Sequence, residues 1–162
     1  MHPYPHTYIA AARAEPAGLV ATESPGLDAL HIAPPAQFDG PGNRWSPETL
    51  LIASIADCFV LTFRAASRAS RLQWLDVECR VEGVLERIDG VSQFTRYTTR
   101  AILTVPTETD EARARKLLEK AEHGCLIANS LRGDRVLEVE IRLREGAATA
   151  ALPAPGHEGK QA

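Results

Sequence analysis

The 162-residue sequence combines 44% apolar and 24% charged residues with a formal net charge of −3, a composition ordinary for one soluble globular domain with a sizeable core. Nucleic acid is excluded as an expected partner, because a phosphate-binding surface needs a basic excess. No apolar run approaches a membrane span, and the N-terminus lacks the pattern of a secretory signal. We therefore expect a cytoplasmic protein with no membrane association.

The N-terminal third of the sequence predicts short strands and a long loop. Residues 1–6 are expected to form a flexible arm, and residues 7–144 a single domain. Apolar runs at 18–22 and 27–32 lie between proline and glycine and predict two strands. Residues 33–44 are rich in proline and glycine and predict a long loop, which favours a functional or tightly packed segment.

A long helix is predicted from Ser46 to about residue 70. Ser46 is a good N-cap, Pro47 suits the first helical position, and Glu48 complements the positive end of the helix dipole. Apolar residues recur at spacings of three or four along this helix. One stripe consists of Leu51, Ile55, Cys58 and Thr62, and Ile52, Phe59 and Phe63 widen it.

The C-terminal half predicts strands, a second helix and a last strand. Residues 74–88 alternate between apolar and polar, which indicates a strand with one solvent-facing side. Asp89 and Gly90 form a strong hairpin signal. The remaining predicted elements are a strand at 94–105, a helix at 110–123, a short helical turn at 126–131, a strand at 136–143 and a disordered tail at 145–162. The resulting fold class is α+β, with helices covering one face of an antiparallel sheet.

The sequence contains three cysteines, too few for a disulfide scaffold. Cys79 lies on the apolar side of a predicted strand, where a cysteine usually acts as a small buried hydrophobe. Cys58 lies in the apolar stripe of the long helix, directly after Asp57, and Cys125 follows the end of the second helix. The helix position alone favours a packing role for Cys58, whereas a second thiol at an exposed helix end favours chemistry.

A pair of thiols on separate elements suits two-step redox chemistry. A thiolate can attack an O–O bond and become a sulfenic acid, which a second thiol converts to a disulfide. The attacking sulfur must be ionised, so its pKa must be lowered by a nearby cation or dipole. His123 is expected to complement the helix dipole rather than to tune Cys125. No spacing of cysteine and histidine supports a metal site.

Four segments of the sequence resemble one known family, the OsmC/Ohr family of osmotically inducible and organic hydroperoxide resistance proteins. The resemblance runs from about Tyr8 to Leu143. Its segments are residues 18–24 (GLVATES), 46–51 (SPETLL), 56–59 (ADCF) and 119–131 (EKAEHGCLIANSL).

The resemblance implies a fold, a reaction and a set of residues. Antiparallel sheets would surround a long cysteine-bearing helix in an intertwined homodimer with two active sites at the subunit interface. Cys58 would be the peroxidatic cysteine, Cys125 the resolving cysteine and Glu48 a catalytic glutamate. Organic hydroperoxides would be the substrates and lipoyl-type dithiols the reductants, with no metal or bound cofactor. Ten residues of straight helix span about 15 Å, so Glu48 cannot contact Cys58 along the helix; either the helix start bends back, or Glu48 serves a site that is built with the partner chain.

Two departures from the family pattern indicate a divergent subgroup. The family has an arginine just before the position of Gly18, which pairs with the glutamate and activates the thiolate. That arginine is missing here, and Arg13, Arg44 and Arg64 are the candidate substitutes. The second departure is Leu126, which stands where the family usually has a proline after its second cysteine.

Two functions remain open at this point. The first is a cysteine-based peroxidase, in which Ile55, Phe59 and Phe63 would accept the alkyl part of an organic hydroperoxide. The second is a non-catalytic module that binds an apolar ligand or partner, with both cysteines as relics. The missing arginine favours the second function, and the two cysteine segments favour the first.

Overall fold

A computed structural model describes residues 3–145 of the chain and divides it into two compact units, which meet in sequence between Ser54 and Ile55. The predicted disordered tail lies outside the described residues except for Glu145. Residues 3–6, the described part of the predicted arm, belong to no helix or strand.

The first unit contains a small antiparallel sheet. Its strand order is β1-β2-β3. The loop after β3 includes a short 3₁₀ turn at Ala36–Phe38. Gly40 packs directly against the carbonyl group of Pro34 in this loop, so a side chain at this position would collide with that group. The three strands are β1 (Ala11–Arg13), β2 (Val20–Glu23) and β3 (Leu30–Ile32).

The long helix α1 spans Pro47–Ser70 and begins at the predicted N-cap. Ser46 Oγ accepts a hydrogen bond from the Thr49 amide at 3.2 Å, and Thr49 Oγ1 accepts one from the Ser46 amide at 2.8 Å. This reciprocal pair satisfies backbone donors that have no partner inside the helix. The start of α1 is therefore fixed by local sequence.

By length and composition alone, α1 is apolar enough to cross a membrane, contrary to the expectation that no segment approaches that length. The core helix of a globular protein meets the same criterion. In the second unit Phe59 and Phe63 are 1% and 0% exposed and pack in the hydrophobic core. Leu61 on the same helix is 60% exposed, so one chain covers part of the apolar surface of α1.

The second unit is built on a mixed three-stranded sheet with the order β4-β5-β6. Strands β4 (Asp76–Ile88) and β5 (Val91–Pro106) pair antiparallel. The hairpin predicted at Asp89 and Gly90 is confirmed, since both residues have the positive φ angles, 51° and 83°, of a tight two-residue turn.

Strand β6 (Asp134–Arg144) pairs with β5 in parallel, whereas the sequence predicted antiparallel pairing throughout. The difference follows from the connection between them. Two helices, α2 (Glu111–His123) and α3 (Leu126–Asn129), carry the chain back to the other end of β5 before β6 begins. Such a crossover places successive strands parallel. The α+β class and the cysteine-bearing helix are confirmed.

The crossover places Cys125 between two helices. Asp110 caps α2, because Asp110 Oδ1 accepts hydrogen bonds from the amides of Ala112 and Arg113 at 2.9 and 3.1 Å. Leu118 on α2 is completely buried in the core. Cys125 itself is the N-cap of α3, so the position of its thiol depends on how both helices pack.

Replacing Asp110 with alanine should lower the free energy of unfolding by about 1 kcal/mol, because two amides of α2 lose their acceptor. Urea denaturation measures this difference. Asp110→Asn is the matched control, since asparagine caps helices about as well as aspartate. Equal losses in the two variants would show that the hydrogen bonds at Asp110 do not stabilise α2.

Candidate active site

Cys58 and Cys125 come together in the second unit, on separate elements. Cys58 lies midway along α1 and is partly buried, while Cys125 lies between α2 and α3 and is 1% exposed. The two thiols are close enough to interact, since each shifts the pKa of the other. Both thiols are free. The structure thus brings together two sulfurs that are separated by a strand hairpin and a helix in the sequence.

The surroundings of Cys58 favour its thiolate. Burial alone would raise the pKa of Cys58, but four hydrogen bonds outweigh burial and lower this pKa below its ordinary value. The donors are the amide of Ile127, the thiol of Cys125, the amide of Leu126 and the hydroxyl of Thr62. Hydrogen bonds to the charged form stabilise it selectively, so the surroundings favour the thiolate more at Cys58 than at Cys125.

The surroundings of Cys125 favour its neutral thiol. Burial raises the pKa of Cys125, and the hydrogen bond and negative charge of Cys58 raise it further. Cys125 Sγ accepts a hydrogen bond from the Ala128 amide at 3.5 Å, and its S–H donates to the Ile55 carbonyl oxygen at 3.9 Å. The pKa values of the two thiols are therefore shifted in opposite directions, down for Cys58 and up for Cys125.

Cys79 takes the packing role that its strand position predicted. It lies on β4 against the hydrophobic core, and burial raises its pKa to about 12. A thiol with that pKa is almost entirely protonated at neutral pH and is a poor nucleophile. Two of the three cysteines therefore have environments suited to redox chemistry.

None of the four donors that lower the pKa of Cys58 is an arginine. Arg64 is exposed on α1, and the other two candidate cations, Arg13 and Arg44, are exposed residues of the first unit. Glu48 lies in the first turn of α1, and its Oε2 is buried without a hydrogen-bond partner among the described residues. The sequence predicted that a nearby cation or dipole would lower the pKa of the attacking sulfur. Among the described residues, the groups that lower the pKa of Cys58 include the backbone amide dipoles of Leu126 and Ile127.

The apolar residues expected to accept an alkyl group do not line an open site. Ile55, Phe59 and Phe63 are 2%, 1% and 0% exposed, because they fill the interior side of α1. The side chain of Leu126 is 67% exposed beside the Cys58 donors. Leu126 and its neighbour Ile127, which is 37% exposed, are thus apolar groups beside Cys58 that remain accessible within one chain.

His123 does not belong to a metal site in the described part of the chain. His123 is exposed in the last turn of α2, with Nδ1 3.4 Å from Glu122 Oε2, which fits the predicted role at the helix end. Across residues 3–145 there is no cluster of three or more histidine, cysteine, aspartate or glutamate side chains placed to hold a metal ion.

Sequence reasoning missed the donors to Cys58. The amides of Leu126 and Ile127 are backbone groups, which residue types do not reveal. Thr62 was placed on the Cys58 stripe, and its spacing of four residues was the available signal for a contact across one helical turn. The leucine after Cys125 was the other signal, because a proline there would have no N–H to donate.

Comparison with known proteins identifies relatives of the chain. Residues 40–140 match the family model of the OsmC-like proteins. The uncharacterized protein YmaD of Bacillus subtilis is 29% identical over 118 residues, which cover 71% of this chain and 79% of that protein.

Solved structures share the fold. An organic hydroperoxide resistance protein OsmC from Legionella pneumophila is 26% identical with a TM-score of 0.68 and covers 87% of this chain and 100% of its own. An OsmC-like protein of unknown function from Vibrio cholerae has a TM-score of 0.75 at 16% identity and covers 83% of this chain and 99% of its own. The family match spans more than half of the sequence, and the chain belongs to the OsmC-like protein family.

Proposed function

We propose that this protein is a thiol peroxidase that reduces organic hydroperoxides with Cys58 as the nucleophile and Cys125 as the resolving thiol. The observation that carries the proposal is the proximity of two thiols on separate elements whose pKa values are shifted in opposite directions, down at Cys58 and up at Cys125. A relative of known structure from Legionella pneumophila is described as an organic hydroperoxide resistance protein. The chemistry and the family both support this reaction class.

The first step oxidises Cys58. The Cys58 thiolate attacks the distal oxygen of the hydroperoxide, the O–O bond breaks, and the alkoxide takes up a proton to leave as an alcohol. Cys58 becomes a sulfenic acid, which the amides of Leu126 and Ile127 are placed to hydrogen-bond. The hydroperoxide is reduced by two electrons, and the sulfur is oxidised by two.

The second step uses the neighbouring thiol. Cys125 Sγ attacks the sulfur of the sulfenic acid, which forms the Cys58–Cys125 disulfide and releases water. A dithiol of the lipoyl type then reduces this disulfide by exchange and becomes a disulfide itself. The dithiol supplies the two electrons that the hydroperoxide takes up, so the proposed cycle needs no metal or bound cofactor. We place the reaction in the cytoplasm, where the reducing environment keeps thiols available.

We propose that the active form is a homodimer. The apolar surface of α1 exceeds what one chain covers, with Leu61 60% exposed, and a second copy would bury it. Glu48 Oε2 has no partner among the described residues, and we assign to Glu48 the role of orienting a guanidinium at a two-chain site, with Arg13, Arg44 and Arg64 as candidates. Sedimentation at the mass of one chain would contradict the dimer.

The unpartnered carboxylate oxygen of Glu48 is also the observation that favours the second function, a non-catalytic module for an apolar ligand or partner. In that case the guanidinium was lost with the activity, and the cysteines persist as relics. Measurement of turnover separates the two functions, because a binding module consumes no hydroperoxide.

The proposal predicts different effects for the three cysteines in an assay with cumene hydroperoxide and dihydrolipoamide. Cys58→Ser should reduce turnover to the uncatalysed rate, because a hydroxyl is not ionised at neutral pH. Cys125→Ser should consume one equivalent of hydroperoxide and then stall at the sulfenic acid. Cys79→Ala, the matched control, should retain turnover. Activity in Cys58→Ser, or none in the unaltered protein, would overturn the proposal.

Leu126→Pro should slow alkylation of Cys58 at neutral pH by about tenfold, because removal of one amide donor weakens a hydrogen bond to the thiolate. The fold should accept this change, since Leu126 is the first residue of α3 and Cys125 has an extended backbone. In the unaltered protein the alkylation rate should rise with pH and level off below the range of ordinary thiols. Leu126→Pro should move this midpoint to higher pH.

Leu126→Ala is the control for this experiment, because it removes the exposed side chain and keeps the amide. Iodoacetamide labelling followed by peptide mass mapping assigns the rate to Cys58 separately from Cys79 and Cys125. Unchanged alkylation in Leu126→Pro, or equal slowing in both variants, would show that the Leu126 amide does not stabilise the thiolate.

A further inference from the structure

The last turn of α2 contains a carboxylate in an unfavourable position. Glu122 is one residue from the end of the helix, and its side chain is 15% exposed. The negative end of the helix dipole disfavours an anion there, and burial disfavours a charge that has no partner. Glu122 must therefore be compensated by a specific cation.

Arg135, near the start of β6, is that cation. Its Nε donates to Glu122 Oε1 at 2.7 Å, and its Nη2 donates to the Glu122 carbonyl oxygen at 2.6 Å. The Arg135 side chain is 26% exposed. One side chain thus binds both the carboxylate and the terminal backbone of α2.

The third contact of Arg135 reaches the other side of Cys125. Arg135 Nη1 donates to Asn129 Oδ1 at 2.6 Å, and Asn129 Nδ2 donates to the His123 carbonyl oxygen at 2.9 Å. Asn129 is the last residue of α3. The guanidinium therefore ties the end of α2 to the end of α3, and the short chain between them contains Cys125 and the two amides that face Cys58.

We propose that Arg135 is a positioning residue for the reaction, because its bonds to Glu122 and Asn129 hold the 123–128 segment with the Leu126 and Ile127 amides and the Cys125 thiol directed at Cys58. Arg135 acts through this segment and is not itself among the donors to Cys58. The inference rests on the proposed function, because it assigns these contacts to the activation of the peroxidatic sulfur.

The geometry requires arginine. The guanidinium places three donors in a planar fork, whereas the ammonium of lysine is a single point of charge. Arg135→Lys would keep the charge and lose the simultaneous contacts with Glu122 and Asn129. A positioning role therefore predicts that lysine restores little of the function, whereas a purely electrostatic role predicts that lysine restores most of it.

The ionisable groups near the pair of sulfurs remain unchanged in these variants. Asp57 precedes Cys58 on α1, Cys125 faces Cys58, and Cys79 on β4 interacts electrostatically with Cys125 and Asp57. Thr62 is the remaining polar side chain that contacts Cys58. A change in the alkylation profile of Cys58 would therefore come from the Arg135 network.

The test measures the pH profile of Cys58 alkylation in the full chain, with peptide mass mapping to assign the site. Asn129→Ala and Arg135→Lys leave the net charge unchanged and should each slow alkylation at neutral pH by about threefold to tenfold, because weakened positioning lengthens charge-assisted hydrogen bonds to Cys58. Glu122→Gln should also slow it. A through-space field predicts the opposite sign, since removing a negative charge would favour the thiolate.

Arg142→Ala is the matched control, because Arg142 lies on the same strand and forms an exposed ion pair with Glu140 at 2.6 Å; its alkylation profile should match that of the unaltered protein. Asn129→Ala is a mild change at an exposed residue, so it tests the proposal even where Arg135 variants fail to fold. Unchanged profiles in Asn129→Ala and Glu122→Gln, with folding intact, would overturn the positioning role.

Alkylation needs no hydroperoxide, so the two proposals fail separately. Slowed alkylation in the network variants, with no hydroperoxide turnover in the unaltered protein, would reject the peroxidase and keep the positioning of Cys58. Normal hydroperoxide turnover in the unaltered protein, with unchanged alkylation profiles in the network variants, would support the peroxidase and reject the positioning role of Arg135.

Discussion

The proposed chemistry depends on one set of contacts, those between the Cys58 sulfur and the segment that begins at Cys125. A sulfur that is partly buried in an apolar helix surface would ordinarily be a neutral thiol. The amides of Leu126 and Ile127, the Cys125 thiol and the Thr62 hydroxyl lower the pKa of this sulfur despite its burial. The same contact places Cys125 beside Cys58, so in the proposed reaction activation and disulfide formation would use a single arrangement of atoms.

The fold supports this arrangement through its crossover connection. Because β6 runs parallel to β5, the chain must return along the sheet through α2 and α3, and the break between these helices falls at Cys125. The buried face of α2 fixes the position of the chain before Cys125, and we propose that Arg135, near the start of β6, fixes its position after Cys125. A sheet with purely antiparallel connections would have had no such break to present beside α1.

Much of the local structure follows from the sequence. The cap at Ser46, the turn at Asp89 and Gly90 and the cap at Asp110 are set by residues next to one another in the chain, so their patterns were readable. The parallel pairing of β6 with β5 could not be predicted, because it depends on the end of β5 to which the helical connection carries the chain. The packing role of Cys79 followed from strand alternation, and the family resemblance indicated the pairing of Cys58 with Cys125.

The activating groups could not be read in the same way. The sequence directed attention to a cation among Arg13, Arg44 and Arg64, whereas the described groups that lower the pKa of Cys58 include backbone amides, which every residue except proline has. Their effect depends on direction and distance, which sequence does not give. Arg135 was equally hidden, because its partners lie on α2 and α3 and come together through tertiary packing.

The most direct test of this account is peptide mapping without reduction after treatment with one equivalent of an alkyl hydroperoxide. The account predicts one product, a peptide cross-linked between Cys58 and Cys125 of the same chain, with Cys79 still free and the cross-link removed by a dithiol. Recovery of Cys58 as an unreacted thiol, or as a sulfinic acid with Cys125 free, would contradict the claim that these two sulfurs form a redox pair.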